Sequence, residues 1–284
     1  MNSIAKFFLV ILVCSAFCLA GIGTSAASTG NGGNAQVEEA QAGPLAKAGV
    51  VYATTGHKDG GNFLTIDPAT GAGTLVGPTG LSAVPGLAIN SKGEIYGAEA
   101  SNGKLYKIDA STGAATFVAN TGLSFLDAIA FDADDNLYGV DAIFNLYRID
   151  PATGATTVVG NTGENITGLA FNPVNGSLWG SSGGVNSVVK DGIYKIDKTN
   201  GNATLIGKTG LGGATPDIFF DENGNLFGVK GGGGGATSTL ISIDKSTGAG
   251  TVIGSVGFKS VSGLAYGLIP DISGTPSSHD FGSV

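Results

Sequence analysis

From residue 49 onward, short apolar runs alternate with clusters of Asp, Asn, Gly and Pro. Residues 127–163 read DAIAFDADDNLYGVDAIFNLYRIDPATGATTVVGNTG and hold four such runs, DAIAF, NLYGV, LYRID and ATTVVG. Each run has strand length, is bounded by turn formers, and falls short of a helix. The pattern predicts four short antiparallel strands per unit.

That unit recurs five times. Ile-Asp is followed four residues after the Asp by Gly at Asp67, Asp109, Asp150, Asp197 and Asp244. A second glycine stands 13 residues after each Asp, at Gly80, Gly122, Gly163, Gly210 and Gly257. Successive Asp positions lie 42, 41, 47 and 47 residues apart, a period that fits a propeller better than a leucine-rich or ankyrin solenoid. The turn Asp150-Pro-Ala-Thr-Gly154 suits a tight hairpin, with Pro presetting a negative φ and Gly taking the left-handed position. The Asp carboxylate can accept from the turn's own amides, so its repetition has a structural cause without any catalytic role.

The two ends of the repeat complement each other. Gly49-Val50-Val51-Tyr52 matches the second strand of a unit, whereas Gly263-Leu264-Ala265-Tyr266 matches a first strand. Pairing them would close a ring and remove two exposed sheet edges. The expected fold is therefore all-β, a five-bladed β-propeller over residues 49–267 closed by its N- and C-terminal strands. A six- or seven-bladed ring with a degenerate blade is the alternative.

The flanks read differently. Residues 1–27 combine Lys6, the apolar run FFLVILVCSAFCLA and the small residues Thr24-Ser25-Ala26-Ala27, the pattern of a secretory signal peptide. The run is shorter than the ~20 residues that cross a bilayer, so no membrane span is expected after cleavage. Cys14 and Cys18 both lie inside it, which leaves the mature chain without cysteine. Residues 28–48 are Gly, Ala, Asn and Gln with few large apolar groups and read as a flexible spacer. Composition then removes further classes. A net charge of −8 offers no basic face for nucleic acid, and 42% hydrophobic residues argue against wholesale disorder. Charged side chains make up only 13%, against roughly 25% in ordinary domains, as strands packed face to face would require.

Units of the form GLAF…LYG…LY.IDP.TG..T.VG.TG resemble the secreted bacterial β-propeller repeats grouped with YncE-like, NHL-like and quinoprotein-like propellers. The resemblance covers residues 49–267 and implies a fold; the group includes enzymes and binding platforms, so it implies no single activity. Residues 268–284 form a linker and tail. There Pro276, Ser278, Asp280, Phe281, Gly282 and Val284 resemble the opening strand of the Ig-like modules of choice-of-anchor surface proteins. That resemblance implies a piece of a longer surface protein, secreted or held at the cell surface.

The loops joining second to third strands vary in length and sequence, whereas the third-to-fourth turns do not, so the variable face is the expected binding face. Its acidic residues are Asp127, Asp217, Asp141, Glu99 and Asp191, the candidate ligand-binding residues. Asp127 and Asp217 open first strands two blades apart, and both are expected to look into the central channel. Trp179 shares its repeat position with Tyr96, Tyr138 and Phe227 and reads as core between blades. His57 and His279 are the only histidines, so no zinc centre is expected. Asp132–Asn136 begins like a calcium loop, but Leu137 stands in place of its glycine and Ile143 in place of its closing glutamate. No metal and no cofactor is expected. The leading functional expectation is a monomeric, non-enzymatic binding or display scaffold for a protein or glycan ligand. A cation-assisted hydrolase or lyase of lactonase- or glycan-active type, built on channel carboxylates, is the alternative.

Overall fold

A computed structural model describes residues 44–56, 60–183, 186–231 and 236–268. The leader, the spacer up to residue 43, both histidines and the Ig-like tail from residue 269 lie outside the described residues. Every regular element is a strand. Blade 1 contains β1 (Val51–Thr55), β2 (Asn62–Ile66) and β3 (Gly73–Pro78). Blade 2 is β4 (Gly86–Ile89), β5 (Ile95–Ala98), β6 (Lys104–Ile108) and β7 (Ala115–Asn120), and blade 3 is β8 (Ala128–Phe131), β9 (Leu137–Val140), β10 (Asn145–Ile149) and β11 (Thr156–Asn161). Blade 4 is β12 (Ile166–Phe171), β13 (Leu178–Ser182), β14 (Gly192–Ile196) and β15 (Ala203–Lys208). Blade 5 is β16 (Asp217–Phe220), β17 (Leu226–Lys230), β18 (Thr237–Ile243) and β19 (Gly250–Lys259), and β20 (Val261–Tyr266) follows it.

β20 does not stay with blade 5. It pairs antiparallel with β1, matching Val51 to Tyr266 and Ala53 to Leu264, so blade 1 has the order β20-β1-β2-β3. The innermost strands β4, β8, β12, β16 and β20 contact one another in that cyclic order, and the last returns to the first. The protein is thus a five-bladed propeller closed by its two ends, with no sixth or degenerate blade among the described residues.

The repeated aspartates cap turns. Oδ1 of Asp67, Asp109, Asp150, Asp197 and Asp244 accepts the amide two residues on, at 2.7 to 2.9 Å. Donors from the turn hold all five carboxyls below the usual range, led by hydroxyls in four cases and by the Ala152 amide at Asp150. Gly71, Gly113, Gly154, Gly201 and Gly248 close these turns at φ between 75° and 83°, the left-handed region.

The same turns join the blades, a function the spacing of two glycines per unit does not reveal. Each turn lies against the outer strand of the preceding blade, where a third glycine recurs at Gly77, Gly160, Gly207 and Gly254. A Cβ on Gly160 would sit 1.7 Å from the Asn200 carbonyl oxygen, and one on Gly254 would sit 2.0 Å from that of Thr70. Blade 2 carries Ala119 at this position, and there Gly154 rests against Asn120 instead. Beside this third glycine, one residue of each outer strand, such as Val76 or Val159, is passed over in the pairing as a β-bulge, which twists the exposed edge away from further pairing. Aromatic pairs then lock neighbouring blades, Tyr96 with Phe131, Tyr138 with Phe171 and Trp179 with Phe220 at centroid distances of 5.2, 5.3 and 5.9 Å. Trp179 is buried between blades, as its repeat position predicts.

Residues 44–48, expected as the end of a spacer, are seated on the propeller: Ala46 donates to the Gly93 carbonyl, Ala110 donates to that of Pro44, and the Lys47 amide donates to the Tyr52 hydroxyl.

Two outcomes test this architecture. Gly160→Ala should cost about 3 kcal/mol in denaturant unfolding, because backbone must move. Gly163→Ala, at positive φ but with open space around it, should cost only about 1 kcal/mol. Ending the chain after Lys259 removes β20 and should abolish the single cooperative thermal transition.

Candidate functional site

Side chains along an inner strand alternate between the channel and the neighbouring blade. At the start of each inner strand, Pro85, Asp127, Thr167, Pro216 and Ser262 hold equivalent positions, one from each blade, and all five face the channel mouth on the variable-loop face. Two residues further along, Leu87, Ile129, Leu169, Ile218 and Leu264 converge, each no more than 2% exposed. This aliphatic ring stoppers the channel. The mouth is a cup of about 300 Å³, its wall completed by Ala142, Asn165, Gly183 and Asn186.

Several side-chain oxygens of the residues that line the cup have no partner among the described residues. Asn165 is 5% exposed, yet its Oδ1 accepts no hydrogen bond, and the buried Thr167 Oγ1 and Ser262 Oγ are likewise unpartnered. Leaving such atoms unmatched costs roughly 1–3 kcal/mol each. Asp127 is fixed by its backbone, whose amide donates to the Val140 carbonyl. Burial, reinforced by the nearby charge of Asp141, pushes its carboxyl up to about 6.

The five acids expected on this face have separate roles. Asp127 alone contributes its carboxylate to the cup. Asp217 is displaced from it by one residue of register, occupying the position of Gly86, Ala128, Gly168 and Gly263. Its side chain accordingly points into the wall, where Oδ2 accepts the Leu264 amide of β20 at 2.6 Å and Oδ1 accepts the Ile218 amide at 2.8 Å. The Leu169 amide of β12 donates to it as well, while complete burial still raises its pKa well above the ordinary value. The expected pair of channel carboxylates is thus not assembled: strand alternation sends the two to opposite sides. Asp141 accepts the Ile143 and Asn145 amides and the Tyr147 hydroxyl, which shapes its loop. Glu99 likewise accepts from Asn102 and Tyr106, and Asp191 from the Gly210 amide.

Sequence reasoning passed over Asn165, Thr167, Ser262 and Glu164. The first three are neutral residues and carry no motif; only alignment of GLA, AIA, DIF and GLA on their central Leu or Ile would have put Thr167 and Ser262 level with Asp127. Glu164, 7% exposed, accepts the amides of Asn165, Val188 and Val189 and the Tyr194 hydroxyl, so it anchors the β13–β14 loop beside the cup. The calcium-like segment is an ordinary turn in which Asp132 accepts the Asp134 and Asn136 amides, and Asp135 reaches across to Ser91 of blade 2. Among the described residues no three His, Cys, Asp or Glu side chains converge to hold a metal ion.

Fold and cup together define a β-propeller with a channel open at its variable-loop end. No protein family's sequence model matches the chain, and no curated protein matches it. Among solved structures, a chain of a nidogen/laminin complex is similar at a TM-score of 0.52 and 15% identity, over 77% of this chain and 98% of that one. A structural-genomics protein of unknown function from Bacteroides thetaiotaomicron is similar at 0.54 and 18%, over 82% of this chain and 66% of the other. A gluconolactonase from Xanthomonas campestris reaches 0.49 and 14%, over 76% and 79%. At these identities the first two likenesses show the propeller fold and nothing finer.

Asp127 yields a pH prediction. Its folded pKa lies above the unfolded value, so the folded state holds the proton more tightly and stability falls as pH rises from about 4 to about 6. Asp127→Asn should therefore stabilise the ligand-free protein above pH 7, by up to about 3 kcal/mol at 1.36 kcal/mol per pKa unit. The gain in melting temperature should shrink to nothing near pH 4, as scanning calorimetry at both pH values would record.

Proposed function

We propose that the protein is an exported or cell-surface β-propeller that serves as a non-enzymatic binding scaffold, with its ligand seated in the cup. One observation carries the reading: all five blades contribute an equivalent residue to a single concave site, and side-chain oxygens of its lining residues Asn165, Thr167 and Ser262 have no partner among the described residues. Binding pockets combine apolar walls with a few convergent polar groups in this way. Export rests on the leader expected at residues 1–27, and surface attachment on the tail's resemblance to choice-of-anchor modules. Hydrolysis by paired carboxylates draws little support. Asp217 is engaged by backbone amides in the wall, and Asp141 is engaged within its own loop. Membership among NHL-like or YncE-like propellers is part of the same proposal, supported by the repeated Ile-Asp-x-x-x-Gly phrase.

A thermal-shift panel of monosaccharides, oligosaccharides, amines and carboxylates tests the reading. At least one class should raise the melting temperature of the wild-type protein and leave Ala142→Trp, which fills the cup, unmoved. The scaffold reading fails if no class separates the two proteins, or if the protein turns over sugar-lactone or glycan substrates in an Asp127-dependent way.

A further inference from the structure

Given that the cup is the binding site proposed above, its balance of donors and acceptors narrows the occupant. A carboxylate only accepts hydrogen bonds, and no described residue donates one to Asp127. Asn165 Oδ1 is also purely an acceptor, unpartnered on a side chain 5% exposed. The hydroxyl oxygens of Thr167 and Ser262 add two more unpartnered atoms from blades 4 and 1. The charge is equally unmatched. Among the described residues no Lys, Arg or His lines the cup, and the charged group that acts on Asp127 is another acid, Asp141, itself held by Ile143, Asn145 and Tyr147.

Three ligand chemistries can be compared against this arrangement. A neutral sugar would supply donors but would leave the carboxylate charge uncompensated in a partly desolvated site. A bare divalent cation such as calcium seeks six or more oxygens, usually with several carboxylates. Here the cup offers one carboxylate and a few neutral oxygens, short of the several carboxylates such an ion usually takes. A primary ammonium carries the missing positive charge and three N–H donors on one nitrogen. Its carbon chain would lie against Pro85, Ala142 and Pro216.

We propose that the cup binds a small organic cation through a primary ammonium group, with Asp127 as counter-ion and neutral oxygens from among Asn165, Thr167 and Ser262 accepting its remaining N–H groups. Binding requires ionised Asp127, whose pKa burial and then Asp141 raise to about 6. Affinity therefore falls as pH drops through that value, by about tenfold between pH 7 and pH 5, while an alkylamine stays charged throughout. The proton expelled from Asp127 near pH 6 adds a binding enthalpy that changes with the ionisation heat of the buffer.

Calorimetric titration of the mature protein with n-butylamine and with 1,4-diaminobutane tests this, alongside 1-butanol, glucose and calcium chloride. The expected result is saturable one-site binding of the amines at pH 7, weakened about tenfold at pH 5 and at least about tenfold by Asp127→Asn. Thr167→Val should weaken it by about threefold or more, and 1-butanol should not bind. Retained circular dichroism and the raised melting temperature expected of Asp127→Asn separate lost binding from lost folding. Amine binding that Asp127→Asn leaves unchanged, or no amine binding at all, overturns the proposal. If only glucose or calcium binds, and Ala142→Trp blocks it, the cation is wrong and the cup stands as the site. If no probe distinguishes Ala142→Trp from the wild type, both readings fail.

Discussion

The pairing of β20 with β1 is the constraint on which the rest of the molecule depends. It joins residues more than two hundred positions apart, Val51 opposite Tyr266, and turns a row of sheets into a ring. Without it blade 1 would lack its inner strand and the channel would have a four-sided wall. Closure also carries the chemistry, because Ser262 reaches the cup from β20 and the Leu264 amide of the same strand is bound by Asp217 of blade 5. The junction between blades 5 and 1 repeats the close contact found elsewhere, with Gly71 against Gly254. The seam of the ring is thus built like its other interfaces.

A ring of five sheets leaves little space at its centre, and the inner strands divide that space by alternation. Every second side chain faces inward, so a polar tier at the mouth gives way to an aliphatic tier one step deeper. Packing the deeper tier is favourable, at roughly 1.5–3 kcal/mol for each Leu or Ile fully buried. The upper tier works against folding: it holds one acid with a raised pKa and several unpartnered oxygens. Strain of this electrostatic kind is expected where a site is organised for something other than stability. Asp217 shows the contrasting solution, since its buried carboxylate is surrounded by amides from its own strand and from both neighbouring inner strands, tying three blades together.

Much of the fold was legible in the sequence. The five Ile-Asp-x-x-x-Gly phrases gave the blade count, and the mismatched ends gave the closure, because turn chemistry and strand length are local properties that residues reveal directly. The turn aspartates behaved as their spacing implied. The candidate site was legible only in part. Asp127 was found by its charge, but Asp217 was placed beside it on the strength of both residues opening a strand. A shift of one residue in a strand reverses the side-chain direction, and that shift separates them. Asn165, Thr167 and Ser262 bear no charge and belong to no motif, so nothing marked them before five strands were brought together.

By itself, then, the sequence determined a five-bladed ring, its turns and the face on which loops vary. Only the tertiary structure decided which inner-strand residues share a cavity and which are turned into the wall. The cause is physical: hairpins are specified by neighbours along the chain, whereas the direction of a side chain at the ring's centre depends on the mutual register of five strands from distant parts of it.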